Sequence, residues 1–531
     1  MDINRRDFLK TSGYAAAGIA LASTFSGVPY VSADTSIAAD FDIHAALKTY
    51  MNDIGLTPED GGGTVTFTGK DPILYSRIQL GACMAIPGMA CGIGAAAIWK
   101  DRTGEGQDTT IDLREAVWNL NPFYRLFLAG DVASGAIAKD DLLVKDVQFI
   151  PTTNGQMMQG PFFIGNPISF QIFRTKDGRA VTATGLYHHH FDNFMRILGT
   201  PPDTKIIAEA VKSWDAEDLE KTCFENGAIF GIHRTAEEWS EHPHGKYLAT
   251  EPLVQIEKIG ETAPIPFDSN GDQPLSGVKA LSLTHVIAGT TASRTLAEYG
   301  AEVLHIARPQ SYEHEFFVTD VNIGMRSAWL NIKSDKGQQD LDNLLSDADV
   351  VVQNVRGLDS YGFDADQVVK KRPGIIYLSV NCYGFGGPWE KYGGFDMEGC
   401  TVSGITMTEG DGYNPKYPPT LIINDFLLGY IGASGVMAAL RRRAKEGGSY
   451  HVKVSLTRAA MWYATLGLFK NTDFDLSHPD QRMIEPRTIK RKTPYGEIHR
   501  LAPMVQLSKT PGRWEDPISH VRGAALPEWK S

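Results

Sequence analysis

Residues 278–306 read VKALSLTHVIAGTTASRTLAEYGAEVLHI, and this stretch indicates the fold of the second half of the chain. The apolar run at 278–283 has the character of a strand, and a helical pattern follows at 291–299. Gly300 is placed to end that helix, and a second strand is predicted at 302–306. A strand, a helix and a second strand in this order form a βαβ unit.

The same alternation continues along the chain. Strands are predicted at 328–332, 349–353 and 375–380, with helices between them at 336–345 and 365–371. Strands that alternate with helices predict a parallel sheet covered on both faces. We therefore predict the α/β class, with a doubly wound, Rossmann-like parallel sheet and a smaller α+β domain. The first turn contains no GxGxxG motif, which disfavours a nicotinamide-dependent dehydrogenase.

The N-terminal half of the chain, 40–262, is predicted to form the smaller domain. Its alternating runs at 168–173 and 179–184 are joined by Lys176-Asp177-Gly178, a hairpin signal. Helices are predicted afterwards at 191–198, 205–214, 216–225 and 236–239. A linker rich in Pro, Asp and Gly is expected at 263–274, followed by a second module at 275–465 and a C-terminal tail at 466–531.

Two segments echo each other. Ala95-Ala96-Ala97, Arg102 to Gln107 and Ile111 to Ala116 have the same order of features as Ala438-Ala439-Leu440, Arg443 to Gly448 and Val454 to Ala459. Both predict a long helix, a glycine turn, a strand and a new helix. Two copies at this separation indicate a duplicated module.

Composition and charge exclude several classes of protein. The 531 residues are 42% hydrophobic and 21% charged with a formal net charge of −12, so we expect a globular protein without affinity for nucleic acid. The five cysteines, Cys83, Cys91, Cys223, Cys382 and Cys400, form no CxxC pair, and adjacent side chains in His188-His189-His190 diverge on a helix. We therefore predict no metal site.

The N-terminus has the features of an export signal. Arg5-Arg6 precede Phe8-Leu9-Lys10, a short apolar stretch follows at 14–25, and Val31-Ser32-Ala33 offers a cleavage site. Paired arginines in this setting resemble a twin-arginine signal, so residues 1–33 are predicted to direct the protein to the periplasm. The apolar stretch is too short to span a bilayer, and no stable membrane insertion is expected.

The second half carries four motifs in a set order: Pro274-Leu275-Ser276-Gly277-Val278, Leu330-Asn331-Ile332-Lys333, Ala348 to Asn354 and Tyr383-Gly384-Phe385-Gly386-Gly387-Pro388. Motifs in this order resemble those of the class III CoA-transferase (CaiB/BaiF) family. Residues 70–260 are similar to the second half of that family, which implies a permuted or tandem arrangement. The resemblance further implies coenzyme A as a substrate, acyl-CoA and carboxylic acid partners, and a homodimer.

The resemblance also assigns a catalytic residue. Asp425, in Ile422-Ile423-Asn424-Asp425-Phe426, takes the position of the family's nucleophilic aspartate, which forms a covalent aspartyl intermediate. An Asp at a helix start is also an ordinary cap, so the assignment depends on the surrounding motifs. No Asp or Glu occurs between Asp71 and Asp101, so the first copy is predicted to lack a nucleophile.

The resemblance implies a binding site for CoA at the carboxyl ends of the strands, where ligands of doubly wound sheets bind. The implied residues are Arg308, Leu330, Lys333, Asn354 and Arg356. Backbone N–H groups of the glycine turn at Gly384, Gly386 and Gly387 are candidates for holding an oxyanion. Ile287 stands where related formyl/oxalyl transferases carry a Gln, which favours a more apolar acyl group over a small dicarboxylate.

Two alternatives remain open at the level of sequence. An acyl-CoA racemase of the same fold needs two bases, and in Gly394-Phe395-Asp396 the phenylalanine cannot carry a proton. A non-catalytic acyl-CoA-binding protein is compatible with the reversed order of the two halves. CoA esters are cytosolic metabolites, whereas the N-terminal signal predicts export.

Overall fold

The structure is a computed structural model that describes residues 41–157, 165–308, 313–472 and 474–530. The predicted export signal at 1–33 lies outside these described residues. The helices in the first half are α1 (Ile43–Asp53), α2 (Leu80–Thr103), α3 (Leu113–Leu120), α4 (Tyr124–Ser134), α5 (Leu142–Asp146), α6 (His188–Leu198), α7 (Thr204–Val211), α8 (Ala216–Glu225), α9 (Ala236–Glu241) and α10 (Pro243–Thr250). In the second half they are α11 (Ala288–Glu298), α12 (Glu315–Val321), α13 (Asp335–Leu345), α14 (Ala365–Lys371), α15 (Asp396–Val402), α16 (Ile405–Glu409), α17 (Asn424–Glu446) and α18 (Leu456–Ala464).

The strands form one large and three small sheets. In chain order they are β1 (Val65–Thr68), β2 (Thr109–Asp112), β3 (Thr152–Thr153), β4 (Phe173–Arg174), β5 (Ala180–Thr184), β6 (Ile229–Ile232), β7 (Gln255–Gly260), β8 (Lys279–Leu283), β9 (Glu302–Ala307), β10 (Met325–Trp329), β11 (Val350–Gln353), β12 (Ile376–Asn381), β13 (Ser449–Ser455), β14 (Thr488–Thr493), β15 (Gly496–Leu501) and β16 (Gln506–Leu507). The predicted α/β class is confirmed by this mixed architecture.

The large sheet has seven strands in the order β10-β9-β8-β11-β12-β13-β7. The first six strands are parallel, and β7 pairs antiparallel with β13 at one edge. The chain starts in the middle at β8, moves outward to β10 and then crosses to β11. Between β8 and β11 the direction of travel reverses, and loops on the two sides of such a point diverge and leave a crevice at the carboxyl ends of the strands.

The hydrophobic pattern predicted the helices that connect the strands of this sheet closely. Two strands differ from prediction, one in this sheet and one in a small sheet. The strand expected at 328–332 lies three residues earlier, as β10 (Met325–Trp329). Its pairing with β9 runs from Met325 opposite Val303 to Trp329 opposite Ala307. The strand expected at 168–173 is reduced to Phe173–Arg174. The backbone of Phe170 has φ of 58°, which takes the chain out of the extended conformation before the hairpin begins.

The sequence echo corresponds to a repeated structural unit. Helix α2, strand β2 and helix α3 follow one another as do α17, β13 and α18. The two long helices pack together in the core, where the Cys91 thiol donates to the carbonyl of Tyr430 over 3.1 Å. Helix α2 is long and apolar enough to cross a membrane, but its apolar stretch is buried within this fold, as in the core helix of a globular protein.

The segment expected to be a C-terminal tail packs onto the first module. Strands β14 and β15 form a hairpin that pairs with β3, and β16 pairs with β2. Strand β7, from the end of the first module, in turn joins the large sheet. The modules drawn from sequence therefore share sheets.

Candidate active site

The N-terminus of α17 is held by a carboxylate from another element. Residue Asp396, on the first turn of α15, accepts the backbone N–H of Ile423 over 3.1 Å and that of Asp425 over 2.8 Å, both on Oδ2. Ile423 precedes the helix and has no side chain that could cap it. Asp396 therefore satisfies N–H groups that a helix start leaves unpaired, and Asp425 is not needed as a cap.

Asp425 lies in the wall of a cleft between the two modules. The cleft has a volume of about 510 Å³, part of it open to solvent. The first module contributes Ser169, Phe170, Ala183, Thr184, Gly185 and Leu186, and the second contributes Val286, Ile287, Phe317, Phe395, Asp396, Met397, Ile422 and Asp425. We call this the Asp425 cleft. The wall is mostly apolar, and the first module forms part of it.

Two more carboxyl groups surround Asp425. Glu398 is fully buried, with Oε1 accepting the hydroxyl of Thr184 over 2.6 Å and Oε2 accepting the N–H of Phe395 over 3.0 Å. Burial raises the pKa values of Asp396 and Glu398 to about 7. Burial, followed by the charges of Asp396 and Glu398, raises the pKa of Asp425 well above its usual range.

Sequence reasoning missed this carboxyl cluster. It considered Asp396 only as part of the racemase motif and overlooked Glu398 and Thr184. The available signal was a second acid two residues after Asp396, in a stretch that is otherwise apolar. Thr184 gave no such signal, because it comes from the distant strand β5.

Strained backbone is concentrated around the cleft. In the described residues, four residues other than glycine have positive φ, and three of them are Phe170 (58°), Val286 (57°) and Leu421 (61°). Phe170 and Val286 line the cleft, and Leu421 precedes the lining residue Ile422. Such conformations cost about 1–3 kcal/mol each and persist only where the surroundings enforce them. The walls of this cleft are therefore shaped at the expense of stability.

One of the predicted CoA ligands holds the strained loop. The Asn354 side chain accepts the N–H of His285 over 2.9 Å and donates to its carbonyl over 2.8 Å, so both ends of the amide are used next to Val286. Burial and then the charge of Arg308 lower the pKa of His285 to about 4, with a smaller effect of Arg356 in the same direction. Asn354 thus contacts His285 directly, and the charges of Arg308 and Arg356 reach it, at the point where the strand order reverses.

The other two predicted CoA ligands lie farther along the same edge. The side chain of Leu330 is buried in the small hydrophobic cluster between the sheet and α13. Lys333 is exposed on the turn that leads into α13. Of the five predicted residues, three therefore act on His285, one by contact and two through their charges.

The glycine turn predicted to hold an oxyanion packs against the first module. A Cβ atom on Gly386 would lie 2.6 Å from the Tyr247 hydroxyl, and one on Gly384 would lie 2.8 Å from Leu248. Gly387 also contacts Tyr247, and none of the three glycines lines the Asp425 cleft. In this structure their close approach serves the packing of α10 onto the loop after β12.

The first copy of the repeated unit keeps the cap and lacks the acid. Asp71 accepts the N–H groups of Gly81 and Ala82 at the start of α2, over 2.9 and 2.7 Å. Counting back from the glycine that ends each helix, Gly104 or Gly447, Ala82 takes the position of Asp425. Asp71 therefore corresponds to Asp396, and the methyl group of Ala82 stands where the second half has the carboxyl group of Asp425.

The triple histidine begins α6 beside the cleft. The prediction that these side chains diverge is wrong for His189 and His190, whose ring centroids lie 3.9 Å apart at the start of the helix. Nδ1 of His190 lies 3.0 Å from the carbonyl oxygen of Gly227. Within the described ranges, no group of three or more His, Cys, Asp and Glu side chains could hold a metal ion. The five cysteines are buried and free.

Part of the second half of the chain matches a known protein family. Residues 275–512 match the model of CoA-transferase family III. The acetyl-coenzyme A transferase nodX of Hypoxylon pulicicidum is 32% identical over 322 residues, which cover 55% of this chain and 53% of that protein. The succinyl-CoA:glutarate CoA-transferase of Homo sapiens is 32% identical over 203 residues, covering 36% and 46%.

The family III match includes α17 and α15 but not the first module. The chain spans about half the length of the curated relatives it matches. A solved structure of a CAIB/BAIF family protein from Brucella suis is 23% identical, with a TM-score of 0.35, and covers 43% of this chain and 65% of its own.

Proposed function

We propose that the protein is a CoA-transferase that moves CoA from an acyl-CoA to a free carboxylic acid, with Asp425 as the nucleophile. One observation carries the proposal. The carboxyl group of Asp425 lies in the wall of a cleft at the start of α17, where the capping of the helix is done by Asp396. Its carboxyl group is thus left for chemistry. The match of this region to CoA-transferase family III supports the same reaction.

The reaction proceeds through acyl transfer to the enzyme. A carboxylate oxygen of Asp425 attacks the thioester carbonyl, the C–S bond breaks, and a mixed anhydride and CoA thiolate result. The thiolate then attacks the aspartyl carbonyl and releases the donor acid, leaving a CoA thioester on Asp425. The acceptor carboxylate attacks this thioester, whose C–S bond breaks to give a second mixed anhydride and free CoA thiolate. The thiolate attacks the acceptor carbonyl of that anhydride, which forms the new acyl-CoA and releases the Asp425 carboxylate. Each step conserves charge and needs no external reductant or oxidant.

Burial prepares Asp425 for this role. A carboxylate with a raised pKa is more basic and therefore a stronger nucleophile once it is ionised. The positive end of the α17 dipole favours that ionised form and the negative charge of the tetrahedral intermediate. The cleft thus makes the carboxylate reactive, while the helix limits the cost of its ionisation.

We infer that CoA binds across the crevice at the carboxyl ends of β8 and β11. The strand order of the parallel sheet is that of Rossmann-like nucleotide-binding folds, which supports this position. The charges of Arg308 and Arg356 both reach His285 there, and their forked donors can bind phosphate. Asn354 contributes by holding the loop.

The covalent step is tested by trapping. The enzyme is incubated with a panel of acyl-CoAs, quenched with hydroxylamine and mapped by peptide mass spectrometry around Asp425. We expect a hydroxamate at Asp425 in the wild type and none in Asp425→Asn. Glu409→Gln is a matched control, because Glu409 is also buried, with a pKa raised to about 7 by burial, but does not line the cleft.

Two other results would point elsewhere. Deuterium entering the α-position of an acyl-CoA without transfer to a free acid would indicate a racemase. Saturable CoA binding without exchange of label between acyl-CoA and free acid would indicate a binding protein. Either result, with an unmodified Asp425 peptide, rejects the transferase.

We further propose that the protein is exported to the periplasm and acts as a homodimer. The sequence of residues 1–33 supports export, and the resemblance of the second half to interlocked dimeric enzymes supports the dimer. Fractionation of cells that express the chain with Arg5-Arg6 intact or changed to Lys-Lys tests the first. Light scattering of the purified protein tests the second.

A further inference from the structure

The Asp425 cleft contains acidic groups but no basic ones. Its lining includes Asp396 and Asp425, and within the described residues no Lys, Arg or His contributes to it. The two longer internal stretches outside the described residues, 158–164 and 309–312, have no basic residue in their sequence. The carboxyl groups of Asp396, Glu398 and Asp425 form no ion pair in the described part of the chain. A second carboxylate, carried by an acyl chain away from its reacting end, would therefore meet no basic side chain among these lining residues.

The acyl group must occupy this cleft during the reaction. Once bonded to Asp425, its carbon chain is held within a few bond lengths of that carboxyl group. The surfaces it meets there are side chains such as Phe170, Leu186, Ile287 and Ile422. These surfaces favour carbon chains and offer nothing to hydrate a carboxylate.

The polar wall group nearest to the acids adds to this preference. The hydroxyl of Thr184 donates its hydrogen to Glu398 over 2.6 Å. A hydroxyl committed in this way has no hydrogen left to donate to a substrate. It can accept a hydrogen bond, but it cannot donate one to a carboxylate.

We propose that the site takes acyl groups without a second carboxylate, and that Glu398, acting through Thr184, is a positioning residue that enforces this choice. The inference rests on the proposed transferase function and narrows its substrates to CoA esters of monocarboxylic acids. Glu398 does not line the cleft. Its carboxyl group accepts the hydrogen of the Thr184 hydroxyl and, when ionised, adds negative charge behind the wall.

The experiment compares acids matched in chain length. Exchange of labelled free acid into its own CoA ester is measured for propionate and malonate, butyrate and succinate, and hexanoate and adipate. We expect kcat/KM for the monoacid to exceed that for the diacid by about 100-fold or more, the effect of burying one uncompensated charge. Equal rates in an active pair would overturn the inference and leave the transferase intact. No exchange in any pair, by contrast, would reject the transferase itself.

A set of variants tests the role of Glu398. In Glu398→Gln the amide oxygen can accept the N–H of Phe395, and the amide NH₂ can donate to Thr184, so the fold is preserved. The Thr184 hydroxyl then accepts this hydrogen bond instead of donating it, and its own hydrogen is free for a substrate. We expect the preference for the monoacid to fall about tenfold, through a faster diacid reaction. Glu398→Asp keeps the charge and should keep most of the preference.

Glu409→Gln is the matched control for this substitution. Glu409 is likewise buried and accepts a hydroxyl hydrogen bond, from Ser76 over 2.5 Å, but it lies outside the cleft. We expect it to leave the ratio of the two rates unchanged. A preference that is the same in Glu398→Gln and wild type, with both proteins folded by circular dichroism, would contradict the assignment to Glu398.

Discussion

The backbone N–H of Asp425 donates to the carboxyl group of Asp396 over 2.8 Å, so Asp396 holds the start of α17, the helix that carries Asp425. Asp396 also accepts the N–H of Ile423 over 3.1 Å. The two acids therefore have separate tasks. Asp396 fixes the position of the helix start, and Asp425 keeps its carboxyl group in the cleft.

This relationship predicts different effects for two substitutions of Asp396. Alanine removes the acceptor for both N–H groups and should lower the free energy of unfolding by about 1–2 kcal/mol. Asparagine keeps one oxygen in place and should cost less. The measurement is urea denaturation at pH 5, below the raised pKa of Asp396, with intact CoA binding as a check on folding. Equal losses in the two variants would show that the hydrogen bonds to Asp396 do not stabilise α17.

A second prediction concerns the chemistry of Asp425. Asparagine is nearly the same size and cannot form the anhydride under turnover, so we expect kcat for CoA transfer to fall at least about 1,000-fold. Binding of CoA, measured by calorimetry, should change little, because the proposed CoA site lies at the edge of the sheet. In the wild type, kcat/KM should rise with pH, because only ionised Asp425 attacks and burial raises its pKa. A transfer rate that Asp425→Asn leaves intact would reject the mechanism.

A third prediction concerns the dependence of stability on pH. The pKa values of Asp396 and Glu398 are about 7 in the folded protein and near 4 when unfolded, so the folded state binds more protons between these values. Their contribution to stability is present below pH 4 and is lost as the pH rises through 7. Glu398→Gln should therefore lose less stability than wild type between pH 5 and pH 8, in calorimetric melting curves. A larger loss in the variant would mean that the carboxyl group is stabilised as an anion.

The sequence predicted the sheet well because alternating strands and helices with buried faces leave a clear period. It also led to Asp425, which the structure places in the cleft wall, and to the absence of an acid at the corresponding position of the first copy, since both are matters of residue type within a recognisable motif. It could not predict that Thr184 meets Glu398, because the two are far apart in sequence and no periodicity links them. Nor could it show that both ends of the Asn354 amide are used by His285, because a hydrogen-bonded clamp depends on the path of a loop.

The two hydrogen bonds between the Asn354 amide and the backbone of His285, here called the Asn354 clamp, give a fourth prediction. Val286 follows His285 with φ of 57°, a conformation that a β-branched residue adopts only under constraint. Asn354→Ala removes both hydrogen bonds to His285 and should let the loop relax, so that the wall formed by Val286 and Ile287 moves. We expect KM for acyl-CoA to rise more than tenfold, with a smaller change in kcat.

Asn354→Asp separates the clamp from a direct contact with CoA. Aspartate keeps the acceptor for the N–H of His285 and loses the donor to its carbonyl, so its effect should be intermediate. Val286→Gly is the complementary variant, because glycine adopts positive φ without strain. If Asn354→Ala raises KM equally in the Val286→Gly background, the clamp does not act through the strained loop.

The repeated unit gives the last prediction, which is that each chain carries one acyl group. Ala82 is fully buried and is not part of the Asp425 cleft, although Asp71 caps its helix as Asp396 caps α17. Ala82→Asp restores an acid at the corresponding position, but places it in the core beside Asp71, whose pKa burial has already raised to about 6. We expect this variant to melt at a lower temperature and still to yield one hydroxamate per chain, at Asp425. The double variant with Asp425→Asn should yield none, because a nucleophile needs a cleft as well as a capped helix; a hydroxamate at position 82 would show that the first copy retains a working site.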